Sequence, residues 1–172
     1  MSISAHKPCF MIVIVFGLPG TGKSYFALRL AAGIKAEYIG SDQVRFGMIK
    51  DRRYDKEEKM KVYGKMLKMT EQLTAKKKHV VLDGTFYQDE IRKMFISLAR
   101  SLRVKIYFVE VTAAPLLVKK RVTKKRESSE ADYAVYLKIK ELFEPMNEKH
   151  LTLQSTENNI EDMLEKAIRY LG

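Results

Sequence analysis

The chain reads Phe10-Met-Ile-Val-Ile-Val-Phe16 and continues directly into Gly17-Leu-Pro-Gly20-Thr-Gly22-Lys23-Ser24. A continuous apolar run rich in β-branched residues is typical of a strand covered on both faces, as in the centre of a parallel sheet. The segment after it matches the pattern G-x-x-x-x-G-K-S, whose glycines let backbone N–H groups turn inward around an anion. Together the two segments predict a buried strand that ends in a phosphate-binding loop.

Outside this stretch, strand-like and helix-like segments alternate. Further strands are predicted at 36–39, 79–82, 104–111 and 151–153, and helices at 24–34, 41–49, 55–75, 88–101, 114–122, 132–149 and 160–171. Such alternation favours parallel strands joined by right-handed helical crossovers. We therefore predict an α/β fold of three layers, with a sheet of about five parallel strands and helices on both faces, in a single domain over residues 1–172.

Composition limits the class of protein. The 172 residues include 46% hydrophobic residues, one cysteine and a net charge of +11. This content can form a core and excludes a disordered polymer or a disulfide scaffold.

The longest apolar run, 10–16, is too short to span a bilayer, so we expect a cytoplasmic protein without a membrane helix. The charge favours anionic partners such as nucleotides, nucleic acid or phosphorylated metabolites, but a solvated lysine-rich surface would give the same value.

The glycine loop predicts the residues that hold a nucleoside triphosphate. Lys23 would reach the β- and γ-phosphates, and the Ser24 hydroxyl would bind Mg²⁺. The nucleotide-binding set predicted from the loop and the start of its helix is Gly17, Pro19, Gly20, Thr21, Gly22, Lys23, Ser24 and Tyr25.

Asp83 follows a hydrophobic strand and is the predicted second metal partner, provided that its strand neighbours the first one. Alternatively, Asp83 and Gly84 form a simple turn. Thr85, just beyond, would contact substrate or cap the next helix.

Asp42 and Arg45 follow the second predicted strand. A spacing of three places both side chains on one side of a helical turn, at the carboxyl edge of the sheet. There a carboxylate can take the proton of an attacking hydroxyl, and a guanidinium can bind a phosphate through two hydrogen bonds. An N-capping aspartate with a salt-bridged arginine has the same spacing, so both interpretations remain open.

A basic segment places six cations within residues 119–126. Such a segment can close over a triphosphate and stabilise the charge that develops during phosphoryl transfer. Without an anion nearby, it would be a solvated run of charge.

Taken in order, the motifs Gly-Leu-Pro-Gly-Thr-Gly-Lys-Ser, Ser-Asp-Gln-Val-Arg and Val-Leu-Asp-Gly-Thr-Phe and the basic segment resemble one branch of the P-loop kinases, with an AAA-type P-loop domain. That branch contains phage-type polynucleotide 5′-kinase and zeta-toxin-like kinases. The resemblance covers about residues 11–146, and the Asp-x-x-Arg element narrows the choice most.

The resemblance implies roles for individual residues. Asp42 would be the general base, and Arg45 would bind a phosphate next to the acceptor hydroxyl. The segment 119–131 would be a lid whose Arg121 and Arg126 act, with Lys23, as catalytic cations. Arg92, on the helix after the third strand, would face the acceptor.

The resemblance also implies an activity, which is ATP- and Mg²⁺-dependent phosphorylation of a hydroxyl. The expected acceptor is a 5′-hydroxyl of a nucleic acid or nucleotide-like molecule. One alternative is a small-metabolite or antibiotic kinase. Another, from a different class, is an ATP-binding module that acts through nucleic-acid or protein binding without transfer.

Overall fold

The computed structural model describes residues 10–123 and 132–172. Within them the strands are β1 (Met11–Phe16), β2 (Glu37–Gly40), β3 (Val80–Asp83), β4 (Lys105–Ala113) and β5 (Leu151–Ser155). The helices are α1 (Lys23–Gly33), α2 (Ser41–Met48), α3 (Lys56–Ala75), α4 (Asp89–Leu102), α5 (Pro115–Thr123), α6 (Tyr133–Glu141) and α7 (Ile160–Leu171). No helix within the described ranges has the length and apolar character needed to cross a membrane.

All strand pairs are parallel, and the strands lie in the order β2-β3-β1-β4-β5. The predicted α/β fold with a five-stranded parallel sheet is therefore confirmed. Val15 of β1 pairs with Asp83 of β3, and Asp83 in turn pairs with Gly40 of β2. Since parallel strands end at the same edge, the segments that follow β1, β2 and β3 meet there.

The first strand is apolar along its whole length because the sheet is covered on both sides. Ile12, Ile14 and Phe16 belong to a core cluster that includes side chains of α3 and α4. Val13 and Val15 point to the opposite face and belong to a cluster with side chains of α1 and α7. Residues 12–16 are completely buried. This double burial explains why β1 lacks the alternation of a half-exposed strand.

One predicted helix is too long. The helix expected over 132–149 ends at Glu141, and the chain then runs without helix or strand until β5. Pro145 has no backbone N–H and disfavours a helical conformation in the residue before it. The backbone N–H of Glu144 instead donates to the Tyr87 carbonyl at 2.9 Å, which ties the segment to the loop before α4.

Candidate functional site

The loop between β1 and α1 is shaped by glycines that other residues could not replace. A Cβ on Gly17 would lie 2.3 Å from the Val111 carbonyl oxygen, so the loop runs against the backbone of β4. Gly22 has a φ of 91°, in the left-handed region, and precedes the first residue of α1. No side chain caps α1, and its first turn has no acidic residue. Its orphan N–H donors and its positive dipole end are therefore available to an anion.

Lys23 and Thr21 both turn back onto the loop. The Lys23 ammonium donates to the Leu18 carbonyl at 3.4 Å, and the Thr21 hydroxyl donates to the same oxygen at 2.9 Å. These contacts hold the loop in a tight bend. Within the loop Pro19 is buried, and Gly20 lies against the side chains of Val118 and Val122. The ammonium thus lies beside the N-terminus of α1, where two sources of positive potential add.

Asp83 lies at the carboxyl end of β3, next to the loop, and is only 4% exposed. Burial raises its pKa, and the charge of Lys23 and hydrogen bonding with Ser24 and Tyr38 offset only part of that effect. Its Oδ2 accepts a hydrogen bond from the Tyr38 hydroxyl at 2.7 Å. Its Oδ1 is buried and has no hydrogen bond of regular geometry within the described residues.

The Ser24 hydroxyl and the Asp83 carboxylate fit a magnesium site. Mg²⁺ prefers oxygen ligands, and proteins often supply only one or two, leaving the rest to phosphate oxygens and water. A buried carboxylate oxygen without a partner is the group that a cation would satisfy. Within residues 10–123 and 132–172 there is no cluster of three or more His, Cys, Asp or Glu side chains that could hold a metal alone. The donors therefore suit an ion shared with bound phosphates.

Asp42 and Arg45 lie together on α2, as their spacing predicts. Arg45 Nη1 donates to Asp42 Oδ1 at 3.1 Å, and Arg45 Nε donates to Glu58 Oε1 at 2.9 Å. The Arg45 side chain is nearly buried, whereas that of Asp42 is half exposed. The Arg45 guanidinium also lies over the ring of Tyr54, 4.8 Å from its centroid. Arg45 thus bridges the buried Glu58 carboxylate and the half-exposed Asp42 carboxylate, and its contact with a phosphate stays a prediction.

Glu58, on α3, was not a candidate in the sequence. Its Oε2 accepts from the backbone N–H groups of Arg53 and Tyr54 at 2.6 and 3.1 Å. Burial alone would raise its pKa, but these two donors and the charge of Arg45 hold the pKa below its ordinary value. The Asp55-x-x-Glu58 spacing is a capping pattern, and Asp55 indeed accepts from the Glu58 N–H at 2.8 Å. That signal predicts where α3 begins but not the contact with Arg45.

Tyr38, on β2, was also missed. Burial and the nearby charge of Asp83 raise its pKa strongly, so its hydroxyl remains a hydrogen-bond donor. No local pattern could have identified it, because β2 and β3 are separated by two helices in the chain.

Arg121 extends from α5 to the loop. Its Nη1 donates to the Thr21 carbonyl at 2.9 Å and to Ser155 Oγ at 3.1 Å, and its Nη2 donates to the Thr156 carbonyl at 2.8 Å. A pocket of about 300 Å³ opens beside these contacts, and its lining includes Gly22, Tyr25, Arg121, Ser155, Asn159 and Met163. Arg126 and the rest of 124–131 lie outside the described residues.

Three further candidates are placed as follows. Tyr25 is half exposed, lies under the Arg29 guanidinium at 3.6 Å and lines the pocket. The Thr85 hydroxyl hydrogen-bonds with Tyr63. Arg92 is completely buried, and its guanidinium donates to the carbonyls of three other residues, Phe86, Glu144 and Pro145. Arg92 therefore holds the 143–146 segment against the loop before α4, and this placement differs from the predicted position facing the acceptor.

Comparison with known proteins identifies relatives of this arrangement. A family model described as "AAA domain" matches residues 12–146. No protein among those with curated functions matches the chain. Among solved structures, a sugar kinase from Janibacter sp. HTCC2649 is similar with a TM-score of 0.72 and 15% identity over 94% of each chain.

Two of the similar structures contain nucleotide. Mycobacterium tuberculosis APS kinase CysC in complex with AMPPNP and APS has a TM-score of 0.67 and 18% identity, covering 95% of this chain and 98% of its own. Chaetomium thermophilum Kti12 in complex with ADP-AlF3 has a TM-score of 0.71 and 17% identity, covering 94% of this chain and 99% of its own. At these identities the similarity establishes the fold.

Proposed function

Because the chain belongs to the AAA domain family and has the fold of P-loop kinases, we propose that it transfers the γ-phosphoryl group of ATP to a hydroxyl acceptor. The observation that carries the proposal is the convergence of Ser24, Asp83 and Lys23 at the glycine loop, with one buried Asp83 oxygen that has no hydrogen bond of regular geometry. This is the set of groups that phosphoryl transfer requires around a metal-bound triphosphate.

The loop and the start of α1 would bind the phosphates through backbone N–H groups. Lys23 would add charge at the β- and γ-phosphates, and Arg121 would contribute from the other side of the loop, where it already contacts the Thr21 carbonyl. When bound through Ser24 and Asp83, Mg²⁺ would neutralise charge on the phosphate oxygens. The pocket beside Gly22 and Tyr25 would receive the base and sugar of the nucleotide.

Asp42 would act on the acceptor side. Its half-exposed carboxylate lies at the same edge of the sheet as the loop, because β2 and β3 end together there. The carboxylate would accept the proton of the attacking hydroxyl, while Arg45 and Glu58 hold it in place. We propose a 5′-hydroxyl of a nucleic acid or nucleotide-like molecule as the first acceptor class, supported by the net charge of +11.

The two ion pairs of Arg45 favour a second acceptor class, a small uncharged metabolite. Two carboxylates already neutralise its guanidinium, so binding a phosphate next to the acceptor hydroxyl would require breaking one of these ion pairs. A small uncharged metabolite would need no such exchange.

Transfer from γ-labelled ATP to 5′-hydroxyl oligonucleotides, 3′-nucleotides and a panel of sugars tests the proposal directly. We expect label in one of these acceptors, and we expect Lys23→Met to abolish it. Label found only in free phosphate would contradict the kinase proposal and favour a binding module.

A further inference from the structure

The hydroxyl of Tyr38 bridges two neighbouring strands at the candidate metal site. Tyr38 is on β2, and it donates to Oδ2 of Asp83 at the end of β3, at 2.7 Å. The other carboxylate oxygen, Oδ1, has no hydrogen bond of regular geometry within the described residues and is buried. The two oxygens of Asp83 therefore differ, because Oδ2 accepts a hydrogen bond from the phenol whereas Oδ1 has no hydrogen bond of regular geometry.

Packing holds the Tyr38 ring in place. The ring is partly buried against the core cluster formed by β1, α1 and α7. A tyrosine side chain has only two χ angles, so burial of its ring fixes the position of the hydroxyl at a low cost in conformational entropy. This donor lies outside the glycine loop and constrains the orientation of the Asp83 carboxylate, with which Ser24 of the loop also hydrogen-bonds.

Gly40, two residues after Tyr38 on the same strand, leaves space for the contact between the Tyr38 hydroxyl and Asp83. A Cβ at Gly40 would lie 2.6 Å from the Tyr38 hydroxyl oxygen and 3.0 Å from Cζ. The φ of Gly40 is −96°, which any residue can adopt, so backbone conformation does not demand glycine here. Glycine is needed at this position because any larger side chain would occupy the space of the Tyr38 phenol.

We propose that Tyr38 is a positioning residue for the metal ion: it orients the Asp83 carboxylate so that Oδ1 is presented to the cation, and Gly40 leaves the space for it. The inference rests on the proposed function. Groups that hydrogen-bond to a metal ligand fix its orientation, and their loss typically reduces metal affinity or activity by about 10- to 100-fold. A tyrosine that merely satisfied a buried carboxylate would affect folding without affecting metal affinity.

The test compares Tyr38→Phe with wild type in the full chain. Mn²⁺ is titrated in the presence of a non-hydrolysable ATP analogue, and free Mn²⁺ is measured by electron paramagnetic resonance. The matched control is Tyr170→Phe, which removes a hydroxyl on α7 that donates to the Lys149 carbonyl at 3.4 Å and has no contact with Asp83 among the described residues. We expect Tyr38→Phe to weaken Mn²⁺ binding by about 10- to 100-fold and the control to leave it unchanged. Affinity of the analogue in excess chelator should be equal in all three proteins.

A second variant disturbs the Tyr38–Asp83 hydrogen bond without changing either of these two residues. Gly40→Ala should displace the phenol and weaken Mn²⁺ binding in the same direction. In acceptor-dependent turnover, both variants should show a raised KM for Mg²⁺ and recover most of kcat when Mg²⁺ saturates.

The outcomes separate this inference from the proposal it rests on. Equal or tighter Mn²⁺ binding by Tyr38→Phe, with normal binding by wild type, would overturn the positioning role alone. So would a lower kcat that excess Mg²⁺ does not restore. A wild-type protein that binds the analogue but no Mn²⁺ would contradict the metal-dependent kinase proposal itself.

Discussion

Asp42 is the residue through which the acceptor would be activated. Its carboxylate is half exposed and held by Arg45 at 3.1 Å. Replacing it by asparagine keeps the size and one acceptor oxygen but removes the proton-accepting charge. We expect Asp42→Asn to lower the rate of the chemical step by about 100- to 10,000-fold while ATP affinity changes little. Single-turnover kinetics together with calorimetric titration of ATP measure the two effects.

A matched control for this substitution is Asp162→Asn. Asp162 is on α7 and pairs with Lys166 at the surface, so its loss should leave both the rate and the ATP affinity unchanged. Collapse of ATP affinity in Asp42→Asn would show that Asp42 maintains the nucleotide site instead of serving as the base.

Glu58 gives the protein a defined response to acid. Its pKa in the folded chain is lowered below that of the unfolded chain, which is about 4.3, so its ionised form stabilises the fold. This contribution is fully present above the unfolded pKa and is lost as pH falls through the lower, folded pKa. Urea denaturation at pH 7 and at about pH 3 measures the free energy of unfolding at each pH. We expect Glu58→Gln to lower the free energy of unfolding at pH 7, and the variant should therefore lose less stability than wild type when the pH falls to about 3.

The control for Glu58 is its neighbour Glu57, whose side chain is exposed and pairs with Lys61 across one turn of α3. Glu57→Gln should reproduce the wild-type pH response. Should Glu58→Gln retain the full acid sensitivity, the Arg45–Glu58 contact would not be the source of the effect.

At the scale of elements, α4 and the segment after α6 depend on one buried arginine. Arg92 supplies donors to the carbonyls of Phe86, Glu144 and Pro145, which connect the loop before α4 to the non-helical 142–150 segment. Arg92→Met would leave these carbonyls without their donors. Since each unsatisfied buried polar group costs about 1–3 kcal/mol, we expect a loss of unfolding free energy of about 3 kcal/mol or more.

Chemical denaturation measures this loss, and Arg100→Met is the control because Arg100 is an exposed residue of the same helix. Equal stability of the two variants would mean that packing, rather than hydrogen bonding by Arg92, holds the segment.

At the scale of the whole molecule, the positive charge bears on the acceptor. A nucleic-acid acceptor would release counterions when its phosphates meet lysine and arginine side chains, so its affinity should fall steeply with salt. We expect the KM for a 5′-hydroxyl oligonucleotide to rise at least tenfold between about 50 and 200 mM salt, while the KM for ATP–Mg²⁺ rises less. A salt-independent KM for the acceptor, measured in the same assay, would favour the small uncharged metabolite.

The sheet topology explains how distant segments form one site. β2, β3 and β1 lie side by side and parallel, and Gly40, Asp83 and Val15 share a register. The glycine loop, Asp83 and Asp42 therefore meet at one edge although Asp83 lies 59 positions beyond Ser24, the last residue of the loop motif. The position of Asp83 beside the loop, expected only if the two strands were neighbours, follows from this order.

Features that depend on neighbouring residues and on periodicity can be read directly from the amino-acid chain. The buried first strand, the glycine loop, the alternation of strands and helices and the Asp42–Arg45 spacing are all readable in the chain, because backbone geometry and burial impose them within a few residues. Even the end of α6 had a local signal in Pro145, although the apolar pattern beyond it favoured a longer helix.

The pairing of distant polar groups, by contrast, depends on how the strands and helices pack together. Tyr38 with Asp83, Arg45 with Glu58, and Arg92 with the carbonyls of Glu144 and Pro145 join different elements. Each pairing satisfies a buried donor or acceptor that would otherwise lose its hydrogen bonds to water. That requirement arises only after the elements have packed, so no local pattern in the chain records it.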